Sequence, residues 1–334
     1  MVPGQASIDR FSRDLDAIVA PGARIGIAVS GGPDSLALLL LAAEARPGRI
    51  EAATVDHALR PESRAEAEMV GKVCDRLGMP HAILTAQWEQ KPATAVQERA
   101  RAVRYRLLGE WARSRGLDLI ATAHHLDDQA ETLLMRLARG AGVRGLAGMR
   151  RLSRGSPAGV PLARPLLGWR HSELEAICAA AGVEPVRDPG NEDGQFERVR
   201  VRNALAAADG LDPGALAKSA AHLAEADAAL DWAAEAEWQR AITEEKGELA
   251  YAGRDAPPEI RRRILRRAIL SLATEGDGEL RGRELDRLLE TLETGGTATL
   301  RGVLCTGGPD WRFTRARPRR PTRSSAEIGA VEGQ

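Results

Sequence analysis

Through its first 140 residues the chain alternates short apolar runs with longer amphipathic stretches, and this alternation constrains the fold more than any other property. "RIGIAVS" (24–30), "IEAATVD" (50–56), "HAILTA" (81–86) and "DLIATAH" (118–124) read as strands. Ser35–Ala45, Ser63–Leu77, Thr94–Arg115 and Leu126–Arg139 read as the helices between them. Strands that alternate with helices in this way form a parallel sheet with right-handed crossovers, wound on both faces. Ligands of such sheets collect beyond the carboxyl ends of the strands. The polar clusters "SGGPDS", "DHALRPES" and "HHLDDQAET" all fall there.

Past Gly140, "GAGVRGLAGMRRLSRGSPAG" has no periodicity and reads as a mobile basic loop; a helix, Trp169–Ala181, then leads to the polar stretch "DPGNEDGQFERVRVRN". From about Pro213 the pattern is helical, with Pro257 and Pro258 suited to a helix start, and the chain ends in a hairpin followed by an arginine-rich tail. The expected organisation is an α/β domain over 1–207, a smaller, mainly helical domain over 208–311 and a disordered basic tail over 312–334.

A chain of 334 residues with 43% hydrophobic content can bury such a core. Lys plus Arg equals Asp plus Glu at 47 each, so a nucleic-acid partner must be held by local patches rather than by net charge. Cys74, Cys178 and Cys305 form no Cys-x-x-Cys pair, which points away from a disulfide framework or a zinc or iron–sulfur centre and toward a reducing compartment. The amino terminus has no apolar core and no run spans a bilayer, so the expectation is a cytoplasmic protein without membrane contact.

"SGGPDS", Ser30–Ser35, sits between an apolar strand and an apolar helix, the setting of a phosphate-binding turn. Gly31 and Gly32 let a ligand approach the backbone, Ser30 and Ser35 offer hydroxyls, and Asp34 can hold Mg²⁺ against phosphates. There is no Walker lysine. The pattern alone also suits an ordinary strand-to-helix connection. The chain holds its own control, because Gly-Gly-Pro-Asp recurs in "TGGPDW", Thr306–Trp311, where no helix pattern succeeds it and a hairpin turn is expected.

With its flanking strand and helix, Ser30–Ser35 (with Pro33 at its centre) resembles the PP-loop of the N-type ATP pyrophosphatases, which cleave ATP between the α- and β-phosphates. "ATAHHLDDQAETLLMRLARGAG", Ala121–Gly142, narrows this to a resemblance to the tRNA(Ile)-lysidine synthetase family. On a helical wheel its Ala130, Leu133, Leu134 and Leu137 form an apolar face, and Asp128, Glu131, Thr132 and Arg139 cluster opposite. "VDHALRPESRAEAE" (55–68), "ERARAVRY" (98–105) and "RDPGNEDGQFERVRVRN" (187–203) match further segments of that family, although Gly190 replaces the usual hydroxyl and the arginine register differs.

The resemblance implies a PP-loop ATPase-type sheet and a ligase that uses ATP and Mg²⁺. Such an enzyme adenylates the wobble cytidine of tRNA(Ile) with a CAU anticodon and then lets free lysine displace AMP at C2, changing codon reading from AUG to AUA. It implies Asp34, Asp127 and Asp128 as catalytic acids, Asp34 and Asp128 as metal ligands, and Ser30–Ser35, His57 and His124 as nucleotide contacts. Arg101, Arg104, Tyr105, Glu131, Asp188, Asn191, Arg198 and Arg202 are the implied substrate or tRNA contacts. The oligomeric state stays open, a homodimer included. The alternatives are a tRNA 2-thiolation enzyme of the same superfamily, which would need paired cysteines, and a non-catalytic nucleotide- or RNA-binding protein. GMP synthetase and asparagine synthetase fit less well, since no glutaminase segment is visible and "HHLDDQAET" has no place in them.

Overall fold

The computed structural model describes residues 2–88, 96–186, 195–253, 255–273, 280 and 282–316. The chain divides into two compact units, one up to Glu225 and the other from Ala226. The dividing point lies inside a single helix, α9 (Pro213–Ala241), rather than at 207/208, and after Gly214 that alanine-rich helix holds no glycine or proline to interrupt it.

In the first unit β1 (Ile25–Ala28), β2 (Ile50–Asp56), β3 (His81–Thr85) and β4 (Leu119–Ala121) stand where the apolar runs placed them. They belong to a six-stranded sheet of order β3-β2-β1-β4-β6-β5, in which β6 is Leu162–Ala163 and β5 is Leu152–Ser153. All neighbours pair in parallel except β5 with β6. Alternate residues serve opposite faces. Ile25, Ile27, Ala52 and Ala121 enter one core with α1 (Gln5–Asp16), α2 (Pro33–Ala45), α3 (Glu62–Arg76) and α7 (His171–Ala180). Ala53, Ile120 and Leu162 enter a second core with α4 (Val96–Arg115). This is the doubly wound arrangement expected from the sequence.

The strand order reverses between β1 and β4, which makes the gap beyond their carboxyl ends the switch point where such sheets bind ligands. Two helices begin there: α2 comes after β1, and α5 (Leu126–Leu137) after β4. Leu36 to Leu41 of α2 are all buried, so this helix is packed on every side and its amino terminus is fixed.

The glycine- and arginine-rich stretch after Gly140 is more ordered than its composition suggests. It forms α6 (Val143–Leu146) and β5, and side chains of α5 tie it down. Gln129 donates to the Met149 carbonyl at 2.9 Å and accepts from its N–H at 2.7 Å, while Arg136 donates to the Gly145 carbonyl at 2.6 Å. "ERVRVRN" forms α8 (Glu197–Ala207), a helix that its alternating residues conceal.

The second unit is not only helical. With α10 (Pro258–Leu272) and α11 (Gly282–Glu293), where the sequence placed helices, it contains a five-stranded antiparallel sheet of order β7-β8-β11-β10-β9. The strands are β7 (Ile242–Glu245), β8 (Glu248–Tyr251), β9 (Thr297–Leu300), β10 (Val303–Thr306) and β11 (Trp311–Arg315). Residues 312–315, expected in the tail, continue the sheet because Trp311 and Phe313 are fully buried in this unit's core. Among the described residues no helix is long and apolar enough to cross a membrane.

Candidate active site

The PP-loop turn is built by two glycines with different tasks. Gly31 adopts φ +89°, a conformation L side chains rarely take, and Gly32 is the extended N-cap of α2. Pro33 occupies the first helical turn, where its missing N–H costs nothing. The Ser35 hydroxyl accepts from the Ser30 N–H at 3.1 Å and donates to the Gly32 carbonyl at 3.0 Å, and the Ser30 and Ser35 hydroxyls lie 3.2 Å apart. These bonds close the loop so that the helix terminus faces outward with Asp34 on its first turn.

Asp34 meets two histidines. Its Oδ1 lies 2.7 Å from Nδ1 of His171 and its Oδ2 lies 3.6 Å from Nε2 of His125. His125 is the N-cap of α5 and is 4% exposed, with Nδ1 3.4 Å from Asp127 and Nε2 3.6 Å from Asp128. Three carboxylates therefore surround one buried imidazole. Burial disfavours the charged ring, but Asp127 and Asp34 outweigh it and hold the His125 pKa up to about 10. Burial likewise opposes ionisation of Asp34, and the nearby His125 together with the hydrogen bond from His171 overcomes it, keeping this carboxyl well below the usual range. Asp127 is also lowered, against burial, by His125 and by the His171 backbone N–H, which reaches its Oδ2 at 2.7 Å.

Asp128 has a structural duty as well. Its Oδ2 accepts from the His125 N–H at 3.0 Å, one half of a capping box, and its Oδ1 lies 3.1 Å from Arg198. Glu131, one turn on, is 1% exposed, whereas Leu137 on the supposed apolar face is 57% exposed. α5 thus buries an acid in place of part of its leucine stripe. The compensation comes from α8, where Arg198 and Arg202, four residues apart on one face, donate to Glu131 at 2.7 and 2.6 Å.

Of the remaining expected residues, His124 bonds elsewhere than to Asp34. Its Nδ1 is 2.9 Å from the Thr122 hydroxyl, and burial pushes its pKa down to about 4, so the ring is neutral. His57 faces Arg104, with Nε2 and the guanidinium 3.4 Å apart, and burial together with that guanidinium lowers its pKa to about 4. Tyr105 is buried in the second core, and Arg101 stacks over its ring at 4.9 Å. Asp188 and Asn191 lie outside the described residues. The sequence motif singles out His124 rather than His125 and gives no sign of His171. The N-cap position of His125 is legible in the motif, whereas nothing near His171 in the sequence points to Asp34.

The PP-loop domain family matches residues 5–208, more than half of the chain. The chain is 49% identical to the tRNA(Ile)-lysidine synthase of Novosphingobium aromaticivorans over 94% of its length and 95% of that protein's. The chain belongs to the tRNA(Ile)-lysidine synthase family. A second synthase, from Zymomonas mobilis, is 40% identical over 89% of this chain and 90% of its own. Among solved structures, the U34-tRNA thiolase NcsA from Methanococcus maripaludis, with its [4Fe-4S] cluster, superposes with a TM-score of 0.55 at 18% identity, covering 66% of this chain and 79% of that one. That likeness is one of fold. The two segments that resemble lysidine synthetase motifs, Ser30–Ser35 and His124–Glu131, are far apart in sequence, and the parallel pairing of β1 with β4 brings them together.

Proposed function

We propose that this lysidine synthase family member ligates free lysine to C2 of the wobble cytidine of tRNA(Ile) in two steps at the β1/β4 switch point. The observation that carries the reading is the convergence of Asp34, on the phosphate-binding turn, with Asp127 and Asp128 around His125. In the first step the PP-loop amides and the α2 terminus hold the β- and γ-phosphates while the cytidine O2 attacks the α-phosphate, and pyrophosphate leaves on the loop. In the second the lysine ε-amine attacks C2 and AMP departs. The ammonium must first be held, a task for Asp127, and must lose its proton before the amine attacks.

The donor chemistry suits Mg²⁺, because Asp34 and Asp128 present hard carboxylate oxygens that converge on one edge of His125, each 3.6 Å from its Nε2, and the nucleotide supplies further oxygens. Asp34 and Asp128 would hold the ion, and it would supply positive charge to neutralise the departing pyrophosphate. The neutral rings of His124 and His57 contribute shape and lone pairs to the nucleotide site, not charge. Arg101 and Arg104 serve the phosphates of the tRNA, whose binding then weakens with salt. A cytoplasmic setting suits all of these substrates.

A tRNA-thiolating enzyme is disfavoured by the cysteines. Cys74, Cys178 and Cys305 are buried, and burial raises their pKa values to about 12, 11 and 12, the opposite of what a sulfur carrier or cluster ligand requires. The test is incubation with ATP, Mg²⁺, [¹⁴C]lysine and total tRNA. Label should enter RNA; its absence, with sulfur transfer in its place, would overturn the reading.

A further inference from the structure

One residue touches both acid-bearing motifs, and no step of the proposed reaction uses it. His171 opens α7, far from either motif in sequence. Its ring Nδ1 lies 2.7 Å from Asp34 Oδ1, and its backbone N–H donates to Asp127 Oδ2 at 2.7 Å. A third bond laces the same termini, as the Leu126 N–H at the head of α5 donates to the Trp169 carbonyl at 2.8 Å.

The mount of His171 is stiff. Trp169 is buried in the main core and its indole N–H donates to Asp14 at 2.9 Å. Glu173 accepts from the Arg170 N–H at 2.7 Å, closing the amino-terminal turn of α7, and accepts from Arg10 of α1 at 2.7 Å. Arg10 also donates to the Gly168 carbonyl at 2.7 Å and stacks on Trp169. A group held by this framework can fix others to within fractions of an ångström, which a reacting site needs.

We infer that His171 is the positioning residue that clamps the PP-loop acid Asp34 to the α5 acid Asp127, through its ring on one side and its backbone on the other. The ring N–H takes Oδ1 of Asp34 and leaves Oδ2 directed toward His125 and the centre of the site. The backbone N–H takes Oδ2 of Asp127 and leaves Oδ1 for substrate. The inference rests on the proposal that Asp34 serves adenylation and Asp127 the lysine step.

Substitutions separate the two contacts. His171→Leu removes the ring donor and keeps the backbone donor. His171→Asn restores a donor at the Nδ1 position, whereas His171→Gln offers one only at the distance of Nε2. His171→Pro is compatible with the first position of a helix and removes both donors. With full-length chain, ATP, Mg²⁺ and tRNA, His171→Leu and His171→Gln should slow pyrophosphate release about 30- to 100-fold, the cost of misplacing a reacting group by about an ångström. His171→Asn should stay within about threefold of wild type, and Tm and the KM for tRNA should not move in any of the three. His171→Pro should in addition raise the KM for lysine, which His171→Leu should not.

A rescue by Asn but not Gln is a pattern that a merely structural histidine would not give. Wild-type pyrophosphate release by His171→Leu, or equal loss in the Asn and Gln variants, would overturn the clamp. Asp34→Ala run alongside keeps the two levels distinct: if it too releases pyrophosphate normally, the assignment of Asp34 fails, and if it is inactive while His171→Leu is normal, only the clamp fails.

Discussion

Gly-Gly-Pro-Asp occurs at 31–34 and again at 307–310, and the two copies have opposite fates. In the first, Gly31 turns at φ +89°, Gly32 caps a helix, and the acid ends up facing His125 and His171. In the second, Gly308 turns at φ +147°, the chain returns as β11 against β10 with Thr306 opposite Arg312, and Asp310 is exposed. The tetrapeptide supplies only a permissive turn. The residues after it decide the outcome: "SLALLLL" can be buried on every side as a helix, whereas "WRFTR" alternates and buries only Trp311 and Phe313. Only the helical continuation creates an amino terminus with unpaired N–H groups, and only there does the acid meet histidines.

The largest separation of the two copies should appear in activity. Asp34→Ala is expected to reduce lysidine formation about 10²- to 10³-fold and Asp310→Ala not at all, as measured by lysine incorporation at saturating ATP. Similar losses in both would mean that the second turn also belongs to a site. A milder contrast comes from Gly32. A Cβ there would meet only the Ser30 hydroxyl, at 3.8 Å, so Gly32→Ala should leave stability within about 0.5 kcal/mol of wild type. The added methyl would stand where phosphate approaches, and the KM for ATP should rise about tenfold, equivalent to about 1.4 kcal/mol of lost binding. An unchanged KM would show that the nucleotide does not use this backbone.

In stability the copies should converge. Gly31→Ala and Gly308→Ala each force a side chain into a conformation costing about 1–2 kcal/mol, lowering Tm by about 2–8 °C in thermal melts. The Gly31 change should also lower adenylation, and the Gly308 change should not. The smallest effect concerns pH. His125 has its pKa raised from 6.5 to about 10, so its stabilising charge is complete below pH 6.5 and is lost as pH rises through 10. Asp34, lowered from 3.8, adds stability above that value that is lost as pH falls. The Tm gap between wild type and His125→Gln, melted without Mg²⁺, should therefore be widest between about pH 4 and 6.5 and close toward pH 10. A gap that widened with pH would contradict the ion pair.

Much of the fold is legible in the sequence because its signals are periodic. The apolar runs of β1 to β4 and the leucines of α2 and α11 each repeat often enough to be read, and they locate the switch point. β5 and β6 are two residues each, too short to show a period, and they exist because β6 pairs with the β4 edge and β5 with β6. β7 and β8 are hidden for a similar reason, as "ITEE" and "ELAY" carry little apolar pattern. In the site, the motif acids are legible as residue types, but their partners are not. Glu131 resembles a surface acid until α8 supplies Arg198 and Arg202, and His171 meets Asp34 only because α2 and α7 pack side by side. Contacts made between distant helices leave no local mark on the sequence.

The central claim is that the Gly-Gly-Pro-Asp turn heading α2, and not its twin in the second unit, delivers AMP to the tRNA. Incubation of the protein with [α-³²P]ATP, Mg²⁺ and tRNA(Ile), without lysine and with an acid quench, tests it most directly. Wild type and Asp310→Ala should trap equal label on the tRNA, released as AMP when lysine is added, and Asp34→Ala should trap none. Label on the tRNA with Asp34→Ala at the wild-type level would contradict the claim.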